Sequence, residues 1–286
     1  MSSPQPGSVP RTALVTGASS GIGLATARAL LEEGYAVIGT SRDPARIPEA
    51  DRVEGVSYRA LDLDDLGSLP GFCAALRAEG HHVDVLVNNA GESQSGPLEE
   101  LPLGALERLF RVNVLGPVRL TQLLLPAMRE RGGGRVVMVG SMLASFPLAY
   151  RSSYVASKAA LKGFATAARL EMAPHGVWLT TVEPGSISTG ISQRRTTYVD
   201  DGSPHAERFA RMLQRLDRAE RHGTSAERVA RTVVEAVSAA EPAPLYAVGS
   251  NAPAAFALRR LLPRATVERV VSRRFGQSSR PERATS

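Results

Sequence analysis

Tyrosine and lysine stand four residues apart in Tyr154-Val155-Ala156-Ser157-Lys158, a spacing that puts a phenol and an ammonium on one face of a helix. Only two of the 34 basic residues are lysine, Lys158 and Lys162. With six tyrosines in 286 residues, composition alone supplies such a pair about 0.04 times. A free phenol, with a pKa of about 10, is a poor base at neutral pH. A neighbouring cation favours the phenolate, so the pair suits reversible proton transfer to and from an oxygen.

A second chemical signal lies near the N-terminus. An apolar run, Thr12–Thr16, leads directly into Thr16-Gly17-Ala18-Ser19-Ser20-Gly21-Ile22-Gly23 and then into helical periodicity. Glycines allow a tight turn and close approach of backbone to a pyrophosphate, and the helix start offers free N–H groups to it. Gly17, Ser19, Ser20, Gly21, Ile22 and Gly23 are therefore candidate dinucleotide contacts. About twenty residues on, where an acid would hold the adenosine ribose, the chain reads Gly39-Thr40-Ser41-Arg42. Ser41 and Arg42 suit a 2′-phosphate and favour NADP(H) over NAD(H), with Asp43 as the competing acid.

These groups need a scaffold. Strand-like runs occur at Thr12–Thr16, Ala36–Thr40, Ser57–Leu61, Val83–Asn88, Arg135–Gly140, Trp178–Glu183 and Leu245–Val248. Helical periodicity fills Ile22–Glu33, Leu66–Glu79, Leu103–Arg131, Ser153–Ala173 and Ser225–Ala239, the last with capping-box spacing at Thr224 and Glu227. Alternation of this kind predicts an α/β fold: one Rossmann-type, doubly wound parallel sheet of about seven strands with helices on both faces. Residues 1–10 read as a disordered tail and 11–250 as the domain. Within it, 186–222 reads as a lid insertion; 251–286 reads as a basic amphipathic extension broken at Pro263.

At this point the chain resembles the classical short-chain dehydrogenase/reductases, in their 17β-hydroxysteroid/retinol dehydrogenase-like branch, over residues 11–250. Asn88-Asn89-Ala90-Gly91 matches the family's NNAG motif, Asn113 its catalytic asparagine and Ser141 its serine. Pro184, Gly185 and Thr189 match the segment contacting the nicotinamide half, with Ile187 inside it; Asp62, followed by Leu63, matches the adenine-contacting acid. The resemblance implies NADP(H) bound by these residues together with Asn89, Ala90, Gly91, Tyr154 and Lys158. It implies Tyr154 as general acid/base, Lys158 on the nicotinamide ribose, Ser141 on the substrate oxygen and Asn113 holding a water that relays protons to Lys158. No metal is expected.

Residues beyond the catalytic strands, Glu92, Ser93, Met142, Leu143, Phe146 and Ile187, are the candidate substrate pocket. Most are apolar, which points to a sizeable, mostly apolar ketone or secondary alcohol. Two alternatives stay open: an epimerase or dehydratase of a secondary-metabolite pathway, and a non-catalytic NADP-binding regulator. Net cofactor consumption separates them.

The net charge of +6 resides wholly in residues 251–286, which hold eight arginines and two glutamates; residues 1–250 balance at 26 of each sign. A neutral body argues against nucleic-acid binding. The basic extension could dock on the body, on a partner subunit or on a membrane surface, the last not favoured. One cysteine, Cys73, precludes an internal disulfide and fits a cytoplasmic setting. Apolar positions on more than one face of the helices at 103–131 and 153–173, including Val155, Ala159, Phe164 and Ala167, leave a face for a partner; in the resembled family these two helices form a two-fold interface, which implies a homodimer or tetramer.

Overall fold

The computed structural model describes residues 10–188 and 194–277. Thr189 and most of the expected N-terminal tail lie outside the described residues. Seven parallel strands form one sheet: β1 (Thr12–Val15), β2 (Ala36–Ser41), β3 (Val56–Ala60), β4 (Val83–Asn88), β5 (Gly134–Val139), β6 (Val177–Pro184) and β7 (Leu245–Val248). Their order is β7-β6-β5-β4-β1-β2-β3, so the chain reverses direction across the sheet between β1 and β4. In such sheets ligands bind beyond the strands' carboxyl ends at that reversal.

Alternation along the strands builds two apolar layers. Ala13, Val15, Val85, Val87, Val137 and Val139 face Ala27 and Leu30 of α1 (Gly21–Glu32) and Val229 and Val233 of α7 (Ala226–Ser238). Leu14, Leu86, Val136 and Met138 face the other way. They meet α2 (Leu69–Ala78), α4 (Gly116–Glu130) and α5 (Ser152–Met172) through Leu69, Leu120 and Leu161. Each buried Val, Leu or Met among them stabilises the fold by about 1.5–3 kcal/mol.

Two local details differ from the sequence reading. The helix expected over 103–131 is α3 (Leu103–Phe110), a wide π-helical turn at Arg111–Leu115, then α4. Pro117 explains the break: it has no N–H for the Asn113 carbonyl, and its ring crowds that carbonyl in a regular helix. The last turn instead closes from Gly116 N–H back to the Arg111 carbonyl. The cap of α7 is also one residue later than expected. Ser225 Oγ accepts from Arg228 N–H at 3.3 Å, whereas Thr224 joins a two-residue parallel pairing with Ile187.

The insertion after β6 contains α6 (Ala206–Arg221), and the chain ends in α8 (Ala252–Leu261) and α9 (Arg264–Arg274), separated at Pro263. Among the described residues no helix is long and apolar enough to cross a membrane. The extension docks on its own chain. Val271 and Phe275 pack against Leu148, Phe209, Met212 and Leu216, and Phe256 meets Phe146 edge-on with ring centroids 5.2 Å apart.

Candidate active site

The turn after β1 is shaped for something that approaches backbone. Gly17 has φ +66°, and a Cβ on Gly23 would lie 2.1 Å from the Gly17 carbonyl oxygen, so neither position admits an ordinary side chain unstrained. Asn89 braces the turn: its Nδ2 donates to the Thr16 carbonyl at 2.9 Å, while Thr16 Oγ1 accepts from Asn89 and Ala90 N–H at 3.0 Å. No side chain caps α1 at Ser20, so its first-turn N–H groups stay available for an anion.

Above this turn opens a cleft of about 590 Å3. Gly17, Ser19, Ser20, Gly21 and Ile22 line its floor; Ser41, Arg42, Asp62 and Leu63 line one end; Asn89, Ala90, Gly91, Tyr154 and Lys158 line the other. Asp43 does not line it. Its carboxylate accepts from Ala45 N–H at 3.0 Å and meets Arg46 at 3.2 Å, capping its own turn. Glu92 requires a correction: it belongs to this cleft and not to the substrate side. Arg108 holds its carboxylate with contacts of 2.7 and 3.2 Å and also reaches Asp64 at 2.7 Å, which keeps Glu92 out of the apolar pocket.

A second cavity, of about 250 Å3, adjoins the first. Ser93, Met142, Leu143, Phe146, Pro184, Gly185 and Ile187 line its inner wall; Leu216 and the extension, through Leu258, Leu262, Val267, Val271 and Phe275, line the outer. Pro184, Gly185 and Ile187, which the resemblance implies for the nicotinamide half, line this second cavity.

Tyr154 lines both cavities, Lys158 the cleft and Ser141 the pocket. Helix α5 sets the first two one turn apart, and the end of β5 presents the third. Leu143 N–H donates to Ser141 Oγ at 3.2 Å, fixing the serine in its turn beside the phenol. Lys158 Nζ donates to the Val139 carbonyl at 2.9 Å. Burial lowers the Lys158 pKa to about 8. Burial also raises that of Tyr154, opposed first by the Arg151 guanidinium and then by the Ser141 hydrogen bond. Arg151 is a second cation beside the phenol's ring, 4.3 Å from the centroid against 6.0 Å for the expected Lys158.

Asn113, fully buried in the wide turn, accepts from Glu92 N–H at 2.8 Å and donates to the Glu92 carbonyl and to Ser157 Oγ at 3.0 and 3.1 Å. It clamps the Asn89–Glu92 segment to α5. Its Oδ1 and Lys158 Nζ both border the space over Gly91, where a Cβ would sit 3.0 and 3.5 Å from them.

The short chain dehydrogenase model matches residues 11–199. The chain belongs to that family. Bovine retinol dehydrogenase 8 is 31% identical over 82% of this chain and 80% of that protein. A short-chain dehydrogenase structure from Streptomyces avermitilis matches with a TM-score of 0.80 and 32% identity, covering 93% of this chain and 98% of the other. A metagenomic short-chain oxidoreductase in complex with NADP matches at 0.66 and 28%, covering 83% and 96%. As a member, the chain is an oxidoreductase that acts on CH–OH or C=O groups of small molecules with a nicotinamide cofactor.

Arg151 is the residue that the sequence reading missed. The signal available was slight: an arginine three positions before the tyrosine, in a chain where arginine is the ordinary cation.

Proposed function

We propose that this chain is an NADP(H)-preferring ketoreductase or alcohol dehydrogenase for a mostly apolar substrate, with Tyr154 as the acid/base. The observation that carries this reading is Tyr154's position on the wall between the two cavities, with Lys158 on the cleft side and Ser141 on the pocket side. The uncapped start of α1, with Gly17 and Gly23 clearing the way, fits a pyrophosphate, so the cleft fits a dinucleotide. When bound, the nicotinamide supplies or accepts the hydride.

Tyr154 gives its proton to the carbonyl oxygen in reduction and takes it back in oxidation. Ser141 donates a hydrogen bond to the same oxygen as charge develops there. Lys158 faces the cleft where it can hold ribose hydroxyls, and a water over Gly91, bonded to Asn113 Oδ1, would carry protons towards it. At the far end Ser41 and Arg42 offer a hydroxyl and a guanidinium to a 2′-phosphate, and the nearby acid, Asp43, is engaged elsewhere. The apolar pocket walls exclude water from the reacting carbonyl.

The test is a coupled screen of ketones and secondary alcohols with NADPH and NADP+. Stoichiometric loss of NADPH with an apolar ketone is the expected result; turnover without net cofactor change would replace the proposal with an epimerase. The working form we propose is a homodimer or larger. Leu103, Leu115, Phe164 and Leu170 are exposed along α3, the wide turn and α5, the elements proposed for the interface. Sedimentation at micromolar concentration should give a dimer or tetramer, and a fully active monomer would overturn it.

A further inference from the structure

Arg151 is a buried cation with no ion-pair partner among the described residues; the Glu220 carboxylate acts on it only from beyond contact distance. Arg151 is 3% exposed, and no carboxylate of the described residues lies within ion-pair distance of it. One guanidinium nitrogen, Nη1, donates to Ser93 Oγ, the Gln94 carbonyl and Ser95 Oγ at 3.0, 2.9 and 3.0 Å, while Nε has no partner among the described residues. Burying an uncompensated charge is costly, and neutral dipoles offset only part of the cost. The backbone that delivers it is unusual too. Tyr150 has φ +62°, a region that bulky side chains rarely adopt, and is held there by Gly96 N–H on its carbonyl and by ring contacts with His205 and Phe209. The guanidinium lies over the Tyr154 ring, 4.3 Å from its centroid, on the face towards the pocket.

We infer that Arg151 is a positioning residue whose missing counter-ion is the Tyr154 phenolate: it holds the ring and stabilises the anion that alcohol oxidation requires. The inference rests on the proposed role of Tyr154. Other groups share this field. Lys158 and Ser141 act from α5 and the end of β5; from the lid side Glu220 opposes the phenolate, and Arg195, paired to Glu220 at 2.5 Å and to Asp217 at 2.8 Å, favours it. Arg151 lies nearer the ring centroid than Lys158, 4.3 against 6.0 Å, and unlike Arg195 it has no carboxylate within ion-pair distance among the described residues.

The experiment titrates Tyr154 directly in the full chain by NMR of 13Cζ-labelled tyrosine, its resonance assigned with Tyr154→Phe. Arg151→Gln keeps N–H donors for Ser93–Ser95 and removes the charge. It should raise the phenol's midpoint by about one unit or more. The pH at which kcat for alcohol oxidation half-saturates should move up with it, and Arg151→Lys should restore both. An unmoved titration with uniformly reduced kcat makes Arg151 a structural brace and overturns the inference. So does an unmoved titration with a raised KM confined to anionic substrates, which would make Arg151 a substrate contact. Should Arg151→Gln not fold, Arg151→Lys decides: a midpoint within half a unit of the parent, with turnover kept, supports the charge, and a shift of a full unit overturns it. The titration reports whether or not Tyr154 is catalytic, and retained turnover in Tyr154→Phe would count against the proposed function alone.

Discussion

On one side of Tyr154 the walls are mostly backbone and short polar side chains; on the other they are large apolar side chains drawn from distant parts of the chain. The cleft is set mainly by the Thr16–Gly23 turn, the Asn89–Gly91 segment and two strand ends, within the first 160 residues, with Arg194, Thr196 and Tyr198 of the insertion added. The pocket takes Phe146 from beyond β5, Leu216 from α6, and Leu258, Leu262 and Phe275 from the extension. The difference follows from what each must hold. A fixed pyrophosphate and ribose need N–H groups at set positions, which glycines and helix starts provide. An apolar substrate needs only a dry, shaped surface, which many residues can provide. Residues at the partition should therefore govern chemistry, residues of the cleft cofactor choice, and residues of the extension substrate affinity.

The partition is the place where that division breaks most sharply. Tyr154→Phe removes one oxygen and leaves the ring against Arg151. Turnover should fall on the order of 10²–10⁴-fold, while NADPH affinity and the unfolding midpoint stay near the parent's. Steady-state kinetics with a fluorescence titration of cofactor checks both. Near-normal turnover would remove Tyr154 from the chemistry.

Arg42→Ala tests the cleft. Loss of a charge-assisted contact to a 2′-phosphate should weaken NADPH about 10–100-fold and leave NADH within about twofold. Equal losses for the two cofactors would sink the assignment. Arg42 stands largely in solvent, 3.9 Å from Glu92 and more than a third exposed, so no structural collapse should accompany the change.

The pocket is tested by a chain ending at Asn251. It loses α8 and α9 and uncovers Phe146, Leu148 and Leu216. KM for an apolar ketone should rise about tenfold, the equivalent of removing two buried methylenes from contact, with the cofactor Kd unchanged within twofold. A larger effect on cofactor than on ketone would show that the extension serves the cleft.

The same contrast governs what could be seen in the sequence. The strands and the glycine turn were legible because each depends on neighbours in the chain: continuous apolar runs, then Thr16–Gly23 between strand and helix. The catalytic pair was legible because four residues is one helical turn. Asp43 could not be placed, because its distance from the cleft depends on one hydrogen bond to Ala45 N–H. Glu92 follows the NNAG segment and faces the cleft only because Arg108, sixteen residues on, holds it. The wide turn at Arg111–Leu115 had a signal, Pro117 four residues after Asn113, hidden by strong helical periodicity on either side. The extension's amphipathic character was plain, but which surface its apolar face covers is a property of α6 and Phe146, not of its own sequence. Arg151 is the extreme case, since burial of a charge is decided entirely by tertiary packing.

The last effect concerns Lys158 and reads the cleft side of the partition through stability. Burial lowers its pKa from 10.5 to about 8 in the folded, cofactor-free chain. Below the folded value the ammonium is buried at a cost. Between about pH 8 and about 10.5 the unfolded chain binds a proton that the folded chain has released, so stability rises with pH; above that window both states are neutral and the cost is gone. Lys158→Met removes the titration and also leaves the Val139 carbonyl without its 2.9 Å partner, a penalty independent of pH. The variant's stability relative to the parent should therefore be most favourable near pH 7 and decline by no more than about 3 kcal/mol as pH rises through the window. Urea unfolding of both chains at pH 7 and 9.5 measures this. The buried Arg151 and Tyr154 also add to the pH dependence. They do so in both chains and largely cancel in the difference. A difference that stays flat across the window would mean that Lys158 remains hydrated from the cleft, and the partition would then be wetter on its cofactor side than its burial implies.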